Sequence, residues 1–286
     1  FVMLLCLVTG NSFSQQYSLF SPNKSGQVIV RFENGAISYS LNTNGVEVSE
    51  KASLGIELNE QFLSDLSVQE VKKDSVRSSW TPVWGTQQTY PDNYNGMVLK
   101  IQDKKSGSAI AVLVRMYNEG LAFKYEIETK GVTAATLKKE LTEFNIPANS
   151  KCWMLNHPWG KKYKMNVTVN EVKNASLPLL SQSENGKYVL ITEAALYNYG
   201  SLHISVNAKG ILEADLVGAV KVESNFSSPW RVIMAADSPA YFVEHNYIIQ
   251  NLNAPSKIKN TTWIKPGITT WDWRVRGAIE NGFEYQ

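Results

Sequence analysis

Cysteine is scarce: 286 residues hold only Cys6 and Cys152, with no CxxC pair, so a disulfide scaffold is excluded. Histidine is scarce too, and His157, His203 and His245 are scattered with no zinc-like spacing. Charge of one sign is missing, since 28 basic residues face 26 acidic ones for a net +2. That balance argues against nucleic acid or a membrane surface as a partner. Internal repeats, low-complexity segments and charge runs are absent. No apolar run reaches the ~18 residues that a membrane span needs. What the chain has instead is a 43% hydrophobic content with eight Trp and thirteen Tyr. Such aromatics fill β cores, and they also offer flat faces to the C–H surfaces of sugar rings.

Apolar residues alternate with period two along most of the chain, the signature of half-buried strands. Val28, Val30 and Phe32 alternate, Glu33-Asn34-Gly35 turns the chain, and Ile37, Tyr39 and Leu41 resume the pattern. Asn-Gly favours a hairpin because both residues tolerate positive φ. Met97–Ile101, Ile110–Met116 and Leu121–Ile127 read as three further strands, separated by turns at Lys104-Lys105-Ser106-Gly107 and Asn118-Glu119-Gly120. Strands are also predicted at Tyr188–Thr192, Leu202–Val206, Ile211–Leu216, Trp230–Ala235 and Tyr247–Leu252. Ala134–Phe144 has a helix-friendly composition, and Pro239–His245 reads as a short helical turn. Turn signals every ~8–12 residues predict an all-β fold, a large two-sheet antiparallel β-sandwich.

The chain opens Phe-Val-Met-Leu-Leu-Cys-Leu-Val, followed by small and polar residues, with Ser12-Phe13-Ser14 fitting a small-x-small cleavage site. Residues 1–14 are therefore expected to be a signal-peptide remnant, and the mature protein to be periplasmic or secreted. A boundary is expected near Lys265-Pro266-Gly267, which assigns 15–265 to the sandwich. Residues 266–286 are expected to begin a second domain.

Several segments resemble the N-terminal domain of glycoside hydrolase family 97. Ser21-Pro22-Asn23 matches the start of that domain's first strand. Ser79-Trp80-Thr81-Pro82-Val83-Trp84-Gly85 with Tyr94-Asn95 is similar to its W-x-P-V-W-G…Y-N signature. Arg115-Met116-Tyr117-Asn118-Glu119-Gly120-Leu121-Ala122-Phe123-Lys124-Tyr125 resembles its R-x-Y-N-D-G-x-A-F-R-Y hairpin. Ile191-Thr192-Glu193-Ala194-Ala195-Leu196, Ser228-Pro229-Trp230-Arg231, Trp263-Ile264-Lys265-Pro266-Gly267 and Trp271-Asp272-Trp273 complete the series in order. The resemblance implies an α-glucosidase or α-galactosidase in which a β-sandwich precedes a (β/α)8 catalytic barrel, with 266–286 as the truncated start of that barrel. It also implies an oligosaccharide substrate, use of calcium, and catalytic carboxylates in the barrel, so that this chain carries no catalytic residue and should be inactive alone. The alternative is a stand-alone carbohydrate-binding or structural sandwich. A mutarotase-like epimerase would need a catalytic His with a carboxylate, which the three isolated histidines do not supply.

Three residues are the substrate-binding candidates. Glu193 ends a buried strand beside Ala194 and Ala195, where backbones can approach closely; it either faces substrate or metal, or anchors local backbone groups. Trp159, between Pro158 and Gly160, is placed to stack on a sugar or to pack at an interface. Asn174 lies where the resemblance implies reach to substrate. The resemblance also implies a calcium-ligating Glu after a Trp similar to Trp153, but Lys161 or Lys162 stands there, and an ammonium cannot ligate calcium. No metal ligand is assigned to this chain. Trp80, Trp84 and Trp230 are expected in the core. Asn118-Glu119-Gly120 is expected to serve as a turn and nothing more, and Arg115 or Arg231 to pair with a buried carboxylate.

Overall fold

A computed structural model describes residues 14–43, 45–58, 61–62, 66–129, 134–156, 163–223 and 225–269. The alternating stretches fold as strands, and every pairing among the described residues is antiparallel. The chain begins with a meander of β1 (Gln15–Phe20), β2 (Gly26–Glu33), β3 (Ala36–Thr43) and β4 (Val46–Leu54). Asn34 and Gly35, at φ 52° and 74°, close the β2–β3 hairpin with both residues left-handed, as the twist of the strands favours. Short strands β5 (Ile56–Leu58) and β6 (Gln61–Phe62) follow. Then come β7 (Leu66–Trp80), β8 (Tyr90–Asp103), β9 (Ala109–Tyr117) and β10 (Gly120–Glu128). After β11 (Ala134–Glu140) and β12 (Glu143–Phe144) the chain forms β13 (Lys151–Asn156), β14 (Tyr163–Thr168), β15 (Ala175–Gln182) and β16 (Tyr188–Ala194). It ends with β17 (Leu202–Val206), β18 (Leu212–Leu216), β19 (Val220–Glu223), β20 (Asn225–Ser227), β21 (Trp230–Ala236) and two single-turn helices, α1 (Ala240–Glu244) and α2 (Tyr247–Asn251).

The large sheet runs β12-β18-β17-β15-β16-β21-β10-β9-β8-β7, with β13, β14 and β20 attached off this path. Two smaller sheets, β1-β2-β3-β4 and β19-β11-β5-β6, supply the opposing layer. The sandwich follows from the pleat, because alternate residues of a strand serve opposite faces. Val28, Val30, Tyr39 and Leu41 of the small sheet join Leu99, Val112, Val114 and Phe123 of the large one in a single core cluster. The other face of the large sheet presents Tyr94, Tyr117, Ala122, Val232 and Met234, which α1 and α2 cover with Phe242, Ile248 and Leu252.

Gly120 shows why the β9–β10 turn has its sequence. A Cβ there would sit 2.3 Å from the carbonyl oxygen of Ile233, so only glycine lets β10 lie this close to β21. The turn does more than reverse the chain: Asn118 Oδ1 accepts the Asn23 N–H at 3.0 Å and Glu119 Oε1 accepts the Tyr247 hydroxyl at 2.7 Å.

Four expectations change. Tyr247–Leu252 is α2 followed by its cap and not a strand: β21, the strand before it, is already paired on both sides, and Ile248 and Leu252 pack on the face of the sheet instead. The helix-friendly 134–144 stretch forms β11 and β12, since β5 and β19 offer it partners on both edges. Ser21-Pro22-Asn23 lies in the β1–β2 turn, where Ser21 Oγ accepts the Gly26 N–H and donates to Asn23 Oδ1. Of the three tryptophans expected in the core, Trp230 is 4% exposed, but Trp84 is 57% exposed. Trp80 is half-buried, with its indole N–H donating to Asn251 Oδ1 at 2.7 Å. Trp80 closes β7 and Trp84 lies in the β7–β8 connection, past the end of the opposing layer.

Candidate functional site

The alternation on β21 sends Trp230, Val232 and Met234 to the helix-covered face. Arg231 and Ile233 therefore point the other way, toward the main core. A guanidinium there is untenable unless it is paired, because burying a bare charge is very costly. Arg231 is fully buried and its fork is filled. Nε and Nη2 donate to Glu140 Oε1 and Oε2 at 2.9 and 2.5 Å, a bidentate pair, and Nη1 donates to Glu193 Oε2 at 2.6 Å. Glu140 comes from the end of β11, and Glu193 stands opposite Arg231 on the neighbouring strand β16.

A relay of hydroxyls completes the cluster. The Gly55 N–H donates to the Tyr125 hydroxyl at 3.1 Å, which lies 2.8 Å from Thr142 Oγ1, and Thr142 donates to Glu140 Oε1 at 2.8 Å. Tyr199 donates to Glu140 Oε2 at 3.2 Å. Among the described residues no buried side-chain nitrogen or oxygen lacks a partner. The two carboxylates are nevertheless in different electrostatic states. Burial pushes Glu140 up, but the Arg231 charge and the hydrogen bonds outweigh it, so its carboxyl lies below the usual range. Burial pushes Glu193 up as well, and there the single Arg231 contact only partly offsets it while Glu140 adds repulsion; its carboxyl lies above the usual range. For Arg231, burial disfavours the charge, yet the two carboxylates more than compensate and hold it protonated.

One cation between two carboxylates leaves a surplus negative charge, and geometry puts it on Glu193. Its side chain is 14% exposed, whereas that of Glu140 is 0% exposed. The other Glu193 oxygen, Oε1, accepts the Leu202 N–H at 3.3 Å. A rigidly held carboxylate at the surface can accept a sugar hydroxyl or lend an oxygen to a cation.

Asn174 reaches the same neighbourhood from another element. It sits at φ 52° just before β15, and its N–H donates to Ser205 Oγ at 2.9 Å. Its Oδ1 is 2.7 Å from His203 Nδ1, and since an amide oxygen only accepts, Nδ1 carries the proton. His203 directly follows Leu202, so the first two residues of β17 fasten both Glu193 and Asn174. The structure thus ties two of the three candidates to adjacent residues of one strand. Trp159, like Lys161 and Lys162, lies outside the described residues. No group of three or more His, Cys, Asp or Glu side chains that could hold a metal exists among the described residues. With Glu140 fully buried, Glu193 offers calcium one carboxylate at most, so these residues do not fit a calcium centre by themselves.

Sequence reasoning missed Glu140, Thr142 and Tyr199. A signal existed in Trp230-Arg231-Val232-Ile233-Met234, where a charge inside an apolar strand demands a buried acid. Which acid answers is set by long-range packing. Arg115 finds aromatic rings, lying 4.4 Å from the Tyr94 centroid and 4.7 Å from that of Trp230.

Comparison with known proteins gives a consistent set of likenesses. Residues 19–255 match the family described as glycosyl-hydrolase 97 N-terminal. A retaining alpha-galactosidase of Bacteroides thetaiotaomicron is 22% identical, with 95% of this chain and 46% of that protein aligned. A probable retaining alpha-galactosidase of Streptomyces bingchenggensis is 23% identical across 85% of this chain and 38% of that protein. The chain therefore spans less than half the length of these curated relatives. A glycoside hydrolase family 97 enzyme of Pseudoalteromonas sp. strain K8, solved in complex with acarbose, superposes with a TM-score of 0.81 at 26% identity, covering 88% of this chain and 40% of that one.

Proposed function

Since the chain belongs to the glycosyl-hydrolase 97 N-terminal family, we propose that it is the β-sandwich part of an exported α-glycosidase that hydrolyses α-galactosides or α-glucosides in oligosaccharides. The observation that carries this reading is Glu193: a carboxylate pinned by Arg231 and the Leu202 N–H and partly exposed, with Asn174 held by the next residue of the same strand, His203. The sandwich then forms a wall of the substrate site, with Glu193 and Asn174 facing sugar hydroxyls. Bond cleavage belongs to other carboxylates. Glycoside hydrolysis needs a pair flanking the scissile bond, and Glu140 cannot serve, since it is fully buried in an ion pair. Those carboxylates are assigned to a barrel domain, as the family resemblance implies. Calcium in the whole enzyme would draw most of its ligands from outside the described residues. Export is supported by the apolar opening of the chain and by Ser12-Phe13-Ser14.

The test uses aryl α-galactosides and α-glucosides. The enzyme expressed from its complete gene is expected to hydrolyse one class, and Glu193→Gln to lower kcat/KM at least tenfold. The 286-residue chain alone is expected to match a blank. Hydrolysis by the chain alone, or indifference of the whole enzyme to Glu193→Gln, overturns the reading.

A further inference from the structure

Ala194 and Trp230 are paired one step from Glu193 and Arg231, and the pleat turns them to the opposite face of the sheet. There a second cleft opens, of about 590 Å³, within the size range of small-ligand sites. Its lining includes Tyr197, Asn198, Asn225, Phe226, Lys124 and Trp230. The loop that forms its rim is held in an uncommon conformation: Ala195 and Asn198 are both left-handed, at φ 56° and 49°. Such backbone persists where the surroundings enforce it, and it clusters at functional sites. Between them the loop presents Tyr197, 62% exposed, whose hydroxyl is fixed by Asn253 Oδ1 at 3.0 Å. The side-chain amides of Asn198 and Asn225 make no hydrogen bond among the described residues. At the floor, Lys124 lies 5.2 Å from the Trp230 centroid and pairs with Glu126 at 2.7 Å, so its charge is already answered.

We propose that this cleft is a carbohydrate-binding site separate from the Glu193 site, taking one or two rings of a neutral oligosaccharide. The fixed Tyr197 ring supplies a face for sugar C–H groups. The Asn198 and Asn225 amides, without a partner among the described residues, supply donor and acceptor together, which is what vicinal hydroxyls require. With Lys124 answered by Glu126, and Lys221 and Glu223 of opposite sign both in the lining, the cleft gives an anionic ligand no net charge to bind. The ligand class rests on the glycosidase reading above; the site itself shares no residue with the Glu193 cluster.

The experiment is a titration of the 286-residue chain with panose and with raffinose, followed by calorimetry and ligand-detected NMR. Saturable binding of at least one sugar is expected. Tyr197→Ala and Asn225→Ala should each weaken it at least fivefold with an unchanged melting midpoint, while Val243→Ala, on α1 and outside the cleft lining, leaves the affinity as it was. Absence of saturable binding overturns the proposal. So does binding that survives both cleft variants and disappears in Glu193→Gln; that result leaves the glycosidase reading standing. Binding that depends on Tyr197, in a protein whose whole enzyme lacks glycosidase activity, supports the cleft and overturns the reading instead.

Discussion

Arg231 donates three hydrogen bonds to carboxylates where no water reaches it. Arg231→Met strands Glu140 as an uncompensated buried charge, so urea denaturation at pH 7 is expected to show a loss of about 3–5 kcal/mol. Glu193→Gln should behave differently, because Arg231 keeps its bidentate partner; a change under about 1 kcal/mol is expected. The acid limb separates the two carboxylates further. Glu140 has its folded pKa below the unfolded value of about 4.3, so its contribution is full above that pH and drains away as pH falls through the folded pKa. Glu193 has its folded pKa above the unfolded value, so its ionised form opposes folding at neutral pH and ceases to do so on acidification. Loss of stability below about pH 4 should therefore shrink in Arg231→Met and persist in Glu193→Gln. Equal destabilisation by both variants would contradict this division. At this scale the sequence was partly legible. The Thr-Glu-Ala strand end and the Arg inside an apolar strand could be seen, but their meeting with Glu140, ninety-one residues before Arg231, could not.

The β9–β10 hairpin carries the clearest prediction for an element. Gly120→Val would drive a Cβ into the Ile233 carbonyl, and since that neighbour is backbone within a paired strand it cannot rotate away. A loss of about 1–3 kcal/mol is expected, the range for overpacked cores, measured as a lower urea midpoint with an unchanged slope. An unaffected midpoint would mean that the hairpin can slide off β21. The strands were legible because alternation is a local property, and the sites at Leu202–Val206 and Trp230–Ala235 correspond closely to β17 and β21. Errors came where a neighbour decided the outcome. Tyr247-Ile248-Ile249 favours strand locally, yet it coils and buries Ile248 and Leu252, four apart, against the sheet's face. The 134–144 stretch favours helix by composition, yet two waiting edges draw β11 out as a strand.

On the scale of the whole molecule, helix among the described residues is confined to α1, α2 and a 3-10 turn at Val169–Glu171, so far-UV circular dichroism is expected to show a strand-dominated curve; pronounced helix minima would contradict the fold. A second property belongs to the surface. Val83, Trp84, Trp263 and Ile268 are 51%, 57%, 68% and 105% exposed, and the Trp84 indole ties two of these segments together through the Ile264 carbonyl at 2.6 Å. Such an apolar strip is expected to bind a hydrophobic dye, and Trp84→Gln to reduce the fluorescence by half or more; undiminished dye signal would place the apolar surface elsewhere. The position of β21 also has a consequence in time. It lies between β16 and β10 in the large sheet, yet it is the last strand of the described chain. On the ribosome, the earlier strands of the large sheet emerge as two half-sheets, each with an unpaired edge that β21 has yet to fill. Closure of the large sheet is thus deferred until β21 is made, when seven residues arrive to join two halves that stand apart until then.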